Sequence, residues 1–269
     1  MKFGLIGHPI AHSLSPALFK AGYEGRYPYE LIDTEDFEEA YQRFIDGYDG
    51  INVTAPFKEL AYSKADIISE ECRIIGATNL LIKTPEGVTA YNSDYRGLCA
   101  WIKDIQKESQ CRKALIVGLG GAGKAAAAAA WSCGLELTLM NRDITKAADM
   151  ASRLGGKSGG KDIYVSPISD FAECFHNADI IIYNLPVSII NPDELSESIK
   201  TDKQLSKKHL LEANYKDPSF SKEHLDRLQA GGIEIEYHRG QTWLLMQAVT
   251  GYELFTGEKP DLSRMSEQI

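Results

Sequence analysis

Asn52, Thr54 and Lys58 lie in the stretch Gly50-Ile-Asn-Val-Thr-Ala-Pro-Phe-Lys58, which sets an amide, a hydroxyl and an ammonium at the end of an apolar, β-branched run. Gly50 to Thr54 reads as a short buried strand and Pro56 stops it, so these side chains stand at a strand-to-helix corner. A cation at a helix N-terminus is on the wrong side of the helix dipole, so Lys58 is a poor choice for a merely solvated first turn. Asp94, in Tyr91-Asn-Ser-Asp-Tyr-Arg-Gly97 ahead of a helix, is its candidate partner. A lysine facing a carboxylate can hold a substrate hydroxyl and pass its proton, as oxidation of an alcohol requires. Asp94 read alone is equally an N-cap before Tyr95.

A second chemistry is written in Gly118-Leu-Gly120-Gly121-Ala122-Gly123-Lys124, directly after the apolar strand Ala114-Leu-Ile-Val117 and before a run of alanines. Strand, glycine turn and helix in that order form a phosphate-binding unit, since bare backbone lets a pyrophosphate reach the helix N-terminus. The other reading is a tight turn with no ligand. At the end of the next strand stands Asn141-Arg142-Asp143, where a carboxylate would hold the ribose hydroxyls of NAD. Arg142 suits a 2′-phosphate and can stack on adenine, so NADP is favoured and NAD remains possible, with Asp143 repelling a dianion. Near the N-terminus Ser13 and Ser15 precede a helix from Pro16 and form a cradle for an anion or polyol, although Ser15 also reads as an N-cap. His8 and His12 lack ligand company, and no metal site is expected.

The elements around these residues alternate as an α/β sheet does. Strands are expected at Lys2–Ile6, Tyr27–Ile32 and Gly50–Val53, with helices from Pro16 and Thr34. A helical piece follows at Ser63–Arg73, then a hairpin over Asn79–Tyr91 turning at Pro85-Glu-Gly87, then a helix over Tyr95–Ile105. Beyond Lys113, strands at Ala114–Val117, Glu136–Met140, Asp179–Tyr183 and His209–Leu211 make a doubly wound Rossmann domain. Gly155–Lys161 reads as a solvated loop. Gln241–Phe255 is an amphipathic helix expected to return to the first domain, and Glu258–Ile269 is polar and expected to fray. The resulting division is residues 1–101 as an α/β substrate-binding and catalytic domain, 102–237 as the dinucleotide-binding domain, and 238–269 as a helical segment packing on the first.

Composition narrows the partners. Of 269 residues, 43% are hydrophobic and 25% charged, and the net charge is −9, which argues against nucleic acid or an anionic membrane. The N-terminus is too short in apolar residues for a signal peptide, and no segment approaches a membrane span, so a cytoplasmic monomer or homodimer acting on a small molecule is expected. The five scattered cysteines read as small buried hydrophobes in a reducing compartment.

Taken together, Gly7-x-Pro9-x-x-His12-Ser13-x-Ser15-Pro16, Asn52-Val-Thr54-x-Pro56-Phe-Lys58, Gly76-Ala-Thr-Asn79, Asn92-Ser-Asp94-x-x-Gly97, the glycine loop, Asn141-Arg142 and Gln247-Ala248 resemble the shikimate dehydrogenase family. The motifs run in the family's order over nearly the whole chain. The resemblance implies that Ser13 and Ser15 hold a substrate carboxylate, that Thr54, Asn79 and Gln247 contact ring hydroxyls, and that Lys58 and Asp94 are the catalytic pair. Tyr215, in Glu212-Ala-Asn-Tyr215, would form the site floor. The implied reaction is NADP-dependent reduction of 3-dehydroshikimate to shikimate, a step of aromatic amino-acid synthesis. Alternatives are an NAD-dependent quinate or shikimate dehydrogenase, and a silent metabolite or nucleotide sensor on the same fold. The chain departs from the family at Phe19-Lys20, where His-Asn is usual, at Asp143 in place of threonine, at Leu185-Pro186-Val187, which lacks Gly-Met, and at Glu212 in place of aspartate.

Overall fold

The computed structural model describes residues 1–155, 162–190, 195, 207–215 and 217–269. Two six-stranded sheets organise the chain. The chain divides into two compact units, residues 1–97 with 244–269, and residues 98–243.

In the first unit, strands β1 (Phe3–Gly7), β2 (Tyr29–Asp33) and β3 (Gly50–Val53) run parallel, with helices α1 (Ser15–Gly22) and α2 (Phe37–Gly47) as crossovers. Every residue of β1 and β3 is buried, the mark of strands covered on both faces. Asp36 starts α2 by accepting the amides of Glu38 and Glu39, with the acidic first turn complementing the dipole. The hairpin β5 (Leu80–Thr84) and β6 (Gly87–Tyr91) then extends the sheet antiparallel to β3.

One face is closed by the long helix Gly240–Thr256 near the C-terminus. Its Leu244, Ala248, Tyr252 and Phe255 pack with Phe3, Leu18, Phe19, Tyr23 and Leu80. Phe3 stacks on Phe255 at 4.8 Å and meets Phe19 at 5.4 Å. Truncating one such buried ring costs about 3–5 kcal/mol, so this aromatic cluster is the clamp that returns the C-terminal segment to the first unit.

The second unit is a parallel sheet whose strands are β7 (Lys113–Val117), β8 (Glu136–Met140), β9 (Ile163–Ser166), β10 (Ile180–Tyr183), β11 (Lys208–Glu212) and β12 (Ile235–His238). Their spatial order, β12-β11-β10-β7-β8-β9, is the doubly wound arrangement, with the switch point between β7 and β10. The helix after β7, Gly121–Ser132, buries all six consecutive alanines, Ala125 to Ala130. Alanine offers the best helix propensity and the smallest side chain, so this helix forms readily and lies close on the sheet.

Three expectations need correction. Ser63–Arg73 is not one helix: α3 (Lys58–Ser63) and α4 (Glu70–Ile75) flank a two-residue strand, β4 (Ile67–Ile68), which pairs with β6. Two adjacent β-branched residues favour the extended state, and Asp66 holds them there by accepting the Val88 amide at 2.8 Å. The last dozen residues are not wholly irregular. Asp261 caps a short helix, Leu262–Ser266, whose Met265 is fully buried against Gly22. Of the cysteines, Cys72 and Cys111 are buried but Cys99, Cys133 and Cys174 are half-buried; all five are free thiols. The expected loop at Gly155–Lys161 falls, after Gly155, outside the described residues.

Candidate active site

Four chain segments leave the first sheet at one end. β1 and β3 are parallel and finish side by side, Ile6 opposite Val53. β5 runs the other way, with Leu80 opposite both Asn52 and Tyr91, so it begins where β3 and β6 end. The loops carrying Ser13 and Ser15, Thr54 and Lys58, Asn79, and Asp94 therefore emerge together at the carboxyl end of β1, β3 and β6, where sites of open α/β sheets form.

Lys58 is the first residue of its helix, and its Nζ lies 2.6 Å from Asp94 Oδ2. The two side chains keep 24% and 14% of their surface exposed, so the pair is accessible to a small molecule while mostly withdrawn from bulk water. Asp94 is not the N-cap of its helix, Ser93–Glu108. Asn92 takes that role, its Oδ1 accepting the Tyr95 amide at 3.0 Å, and the Asp94 carboxylate can turn to Lys58 instead. The backbone carbonyl of Lys58 accepts the Thr78 amide, which ties the lysine to the segment leading into Asn79.

Ser93 joins two further candidates. Asn79 Nδ2 donates to Ser93 Oγ at 3.0 Å, the Ser93 amide donates to Asn79 Oδ1 at 2.7 Å, and Ser93 Oγ donates to Gln247 Oε1 at 3.0 Å. Gln247 is brought in by Gly97, where a Cβ would meet the Gln247 amide nitrogen at 2.6 Å. Sequence reasoning passed over Ser93, although a serine at a helix start beside a buried asparagine is the signal for such a bridge.

Ser13 and Ser15 have their hydroxyls 3.2 Å apart. Ser15 is the first residue of its helix rather than the cap, and its amide donates to Ser13 Oγ. Around them Tyr252 donates to the Ser15 carbonyl at 3.1 Å, and Tyr29 donates to Asn52 Oδ1 at 2.8 Å. Burial holds both phenols well above their ordinary pKa, so they act as neutral donors. Phe19, which stands where the family usually has histidine, is fully buried in this cluster, 4.8 Å from the Tyr29 ring and 4.7 Å from that of Tyr252. The tyrosines thus supply polar contacts that Phe19 cannot. Thr54 packs its methyl on Gly7, where a Cβ would come within 2.4 Å.

In the second unit, Gly118 has φ +86°, and a Cβ on Gly123 would lie 1.8 Å from the Gly118 carbonyl, so helix and turn touch through glycine alone. Gly120 and Gly121 differ: a Cβ there would meet nothing within 4 Å. They leave backbone bare at the mouth of a helix, with Ala122 in its first turn. Asn141 Oδ1 accepts the Leu119 amide at 3.0 Å and so braces the loop from β8. Asn184, at the end of β10, has a buried Oδ1 with no partner among the described residues, beside Gly118 and Gly123. Leu185 packs on Gly118. Arg142 is exposed and has no carboxylate in ion-pair range among the described residues. Asp143 turns to its own helix: its Oδ1 accepts the Thr145 hydroxyl at 2.6 Å and amide at 3.1 Å, and the hydroxyl lowers its pKa. An open anion-binding turn, an orphaned amide oxygen and a free guanidinium fit a phosphorylated dinucleotide.

Tyr215 belongs to this second unit, in the loop after β11, and is 37% exposed. Glu212 anchors that loop from inside the sheet, accepting the Phe220 amide at 3.2 Å, the Tyr237 hydroxyl at 2.9 Å and the Ser219 amide. Its extra methylene over aspartate lengthens its reach. Among the described residues no helix is long and apolar enough to cross a membrane.

Fold and constellations together define an α/β dehydrogenase that binds a nicotinamide dinucleotide on one unit and carries a lysine–carboxylate pair on the other. Residues 5–81 match the model of the shikimate dehydrogenase substrate-binding domain, and residues 101–211 that of shikimate/quinate 5-dehydrogenase. The chain belongs to the shikimate dehydrogenase family. It is 31% identical to the shikimate dehydrogenase (NADP(+)) of Caldanaerobacter subterraneus subsp. tengcongensis, over 99% of this chain and 95% of that one. Against that of Haloarcula marismortui the identity is 32%, over 99% and 97%. The shikimate 5-dehydrogenase of Thermus thermophilus in complex with NADP(H) and shikimate superposes with a TM-score of 0.80 at 25% identity, covering 100% of this chain and 98% of that one. The fold is shared equally with the quinate dehydrogenase of Corynebacterium glutamicum in complex with NAD, at a TM-score of 0.82, 24% identity and the same coverage.

Proposed function

We propose that this chain catalyses the reversible, NADP-dependent reduction of 3-dehydroshikimate to shikimate, and that Lys58 and Asp94 move the proton. The observation that carries the assignment is the 2.6 Å contact between Lys58 Nζ and Asp94 Oδ2 at the end of the sheet where the other polar candidates converge. A protein that only recognised its ligand would have no use for a proton-transfer pair in that place.

When bound, NADPH supplies the hydride to the carbonyl carbon. The Lys58 ammonium gives its proton to the carbonyl oxygen as that oxygen becomes an alkoxide, and Asp94 orients the ammonium and accepts the hydroxyl that forms. Ser13 and Ser15 donate to the substrate carboxylate. Thr54, Asn79 and Gln247 contact the ring hydroxyls, the last two held in place through Ser93, and Tyr215 forms the floor. On the dinucleotide side Gly118, Gly120, Gly121, Ala122 and Gly123 present the helix N-terminus to the pyrophosphate, while Asn141 holds the turn and Arg142 takes the 2′-phosphate. The same reading takes the protein as a cytoplasmic monomer or homodimer, which cell fractionation and sedimentation of the purified chain test.

Initial rates with shikimate and with quinate, each with NADP and with NAD, decide the assignment. Shikimate with NADP is expected to be fastest. No turnover in any combination would exclude the enzyme, and faster turnover with NAD would overturn the role given to Arg142.

A further inference from the structure

His209, Glu236 and His238 form a cluster that the dehydrogenase reaction does not use. His209 lies on β11 directly opposite Glu236 on the edge strand β12, and His238 follows Glu236 by two residues, so the pleat turns all three to one face of the sheet. Their donor atoms all lie within 4.8 Å of one another. Glu236 Oε2 is 3.6 Å from His209 Nδ1, and Glu236 Oε1 is 3.5 Å from His238 Nε2.

The polar groups here are left unsatisfied. His209 is 92% buried, 8% of its side chain being exposed, and among the described residues neither ring nitrogen has a hydrogen-bond partner; His238 Nε2, also buried, has none there either. Buried polar atoms are paired in the great majority of cases, and each neutral imidazole carries one nitrogen with a free lone pair, so two such rings beside one carboxylate suit a shared Lewis acid. Burial pushes both imidazoles below their ordinary pKa, and the Lys207 ammonium, 2.7 Å from Glu236 Oε2, does the same for the carboxylate. Two neutral imidazoles and one carboxylate are the ligating forms of these groups.

We propose that His209, Glu236 and His238 bind a divalent transition-metal ion of the zinc, cobalt or nickel kind and clip the edge strand β12 to β11. Metal bonds of about 2.0–2.2 Å require the donors to draw slightly closer, which a small rotation of the half-exposed Glu236 provides. Glu236 Oε1 takes the metal while Lys207 holds Oε2 and fixes the carboxylate, as outer partners of ligands do. Water on the exposed side of Glu236 completes four-coordination. The indole of Trp101 stands edge-on to His238 at 5.2 Å and reports on the site.

The protein, stripped with a chelator, is titrated with Co²⁺ while tryptophan fluorescence is followed, and its thermal unfolding is measured with and without Zn²⁺. One equivalent of Co²⁺ quenches the fluorescence, and Zn²⁺ raises Tm because it binds only the folded chain. Glu236→Gln and His238→Gln weaken both responses by roughly tenfold or more in metal concentration while leaving the metal-free Tm near that of the wild type. Trp101→Phe keeps the Zn²⁺ shift and loses most of the quenching. No response of the wild type to excess metal overturns the proposal. Equal binding by both glutamine variants also overturns it, and loss of that binding in His8→Gln would move the ion to His8, whose exposed ring meets Asp33 Oδ1 at 2.8 Å and Glu35 Oε1 at 3.2 Å.

Discussion

Lys58 Nζ and Asp94 Oδ2 lie 2.6 Å apart although each belongs to the first turn of a different helix. Two helix starts meet because β3 and β6 end at the same edge of the sheet, and because Asn92 rather than Asp94 caps the second helix. The cap and the acid are separate residues, so they can be separated by mutation.

Lys58→Ala is expected to lower kcat by about 10²–10⁴ with a much smaller change in KM for shikimate, as loss of a general acid should. Asp94→Asn lowers kcat in the same sense. Asn92→Ala acts differently, frays the helix start and lowers Tm. Steady-state rates with thermal unfolding of the three variants check this; a Lys58→Ala protein with intact kcat and raised KM would make Lys58 a positioning residue only.

The glycines of the dinucleotide turn separate fold from binding. Gly123→Ala must push its methyl into the Gly118 carbonyl, 1.8 Å away, and is expected to cost the protein its stable fold. Gly120 has φ −74°, which alanine adopts freely, and open space around it. Gly120→Ala therefore keeps Tm but raises KM for NADP roughly tenfold by blocking close approach of the pyrophosphate. Circular dichroism melts and cofactor titrations distinguish the two; equal Tm losses would refute the division.

The glycine turn was legible in the sequence because strand, turn and helix follow one another within a few residues, and each has a local signature. Asp94 was legible there as the partner of Lys58, but its other reading, a helix cap, stayed open, and the roles of Asn92 and Ser93 were not legible. All three can cap a helix; the pairing of Leu80 with both Asn52 and Tyr91 brings their turn beside Lys58, and the cap made by Asn92 leaves Asp94 to face it. The register that sets His209 opposite Glu236 is equally invisible in a linear reading, since the two lie on different strands. Lys208 misleads in another way. A lysine inside a strand reads as solvent-facing, yet it is 1% exposed and donates to the carbonyls of His176 and Ala178 at the end of a helix.

In the proposed reading Arg142 and Asp143 decide between the two dinucleotides. Arg142→Leu is expected to raise KM for NADP roughly tenfold and leave that for NAD little changed, since only NADP carries the 2′-phosphate. Asp143→Asn keeps an acceptor for the Thr145 amide and removes the charge beside Arg142, so NADP binding tightens at constant Tm. Asp143→Ala tightens it too, but at a lower Tm. The KM ratio of the two dinucleotides measured for each variant is the check, and an unchanged ratio in Arg142→Leu would remove the arginine from cofactor choice.

Lys208 makes stability depend on pH in a stated direction. Its burial pushes its pKa down to about 8 from the ordinary 10.5. Between those values the unfolded chain holds a proton that the folded chain has lost, so the lysine's contribution to stability rises with pH through that window and is flat below about pH 8. Replacing it by methionine removes this dependence while filling most of the same volume. The Tm difference between wild type and Lys208→Met, taken at pH 7, 8, 9 and 10 in matched buffers, is therefore expected to shift in favour of the wild type above pH 8. Most other titrating groups are common to both proteins and cancel. A difference constant across the series would mean that the two carbonyls hold the ammonium as firmly as water does.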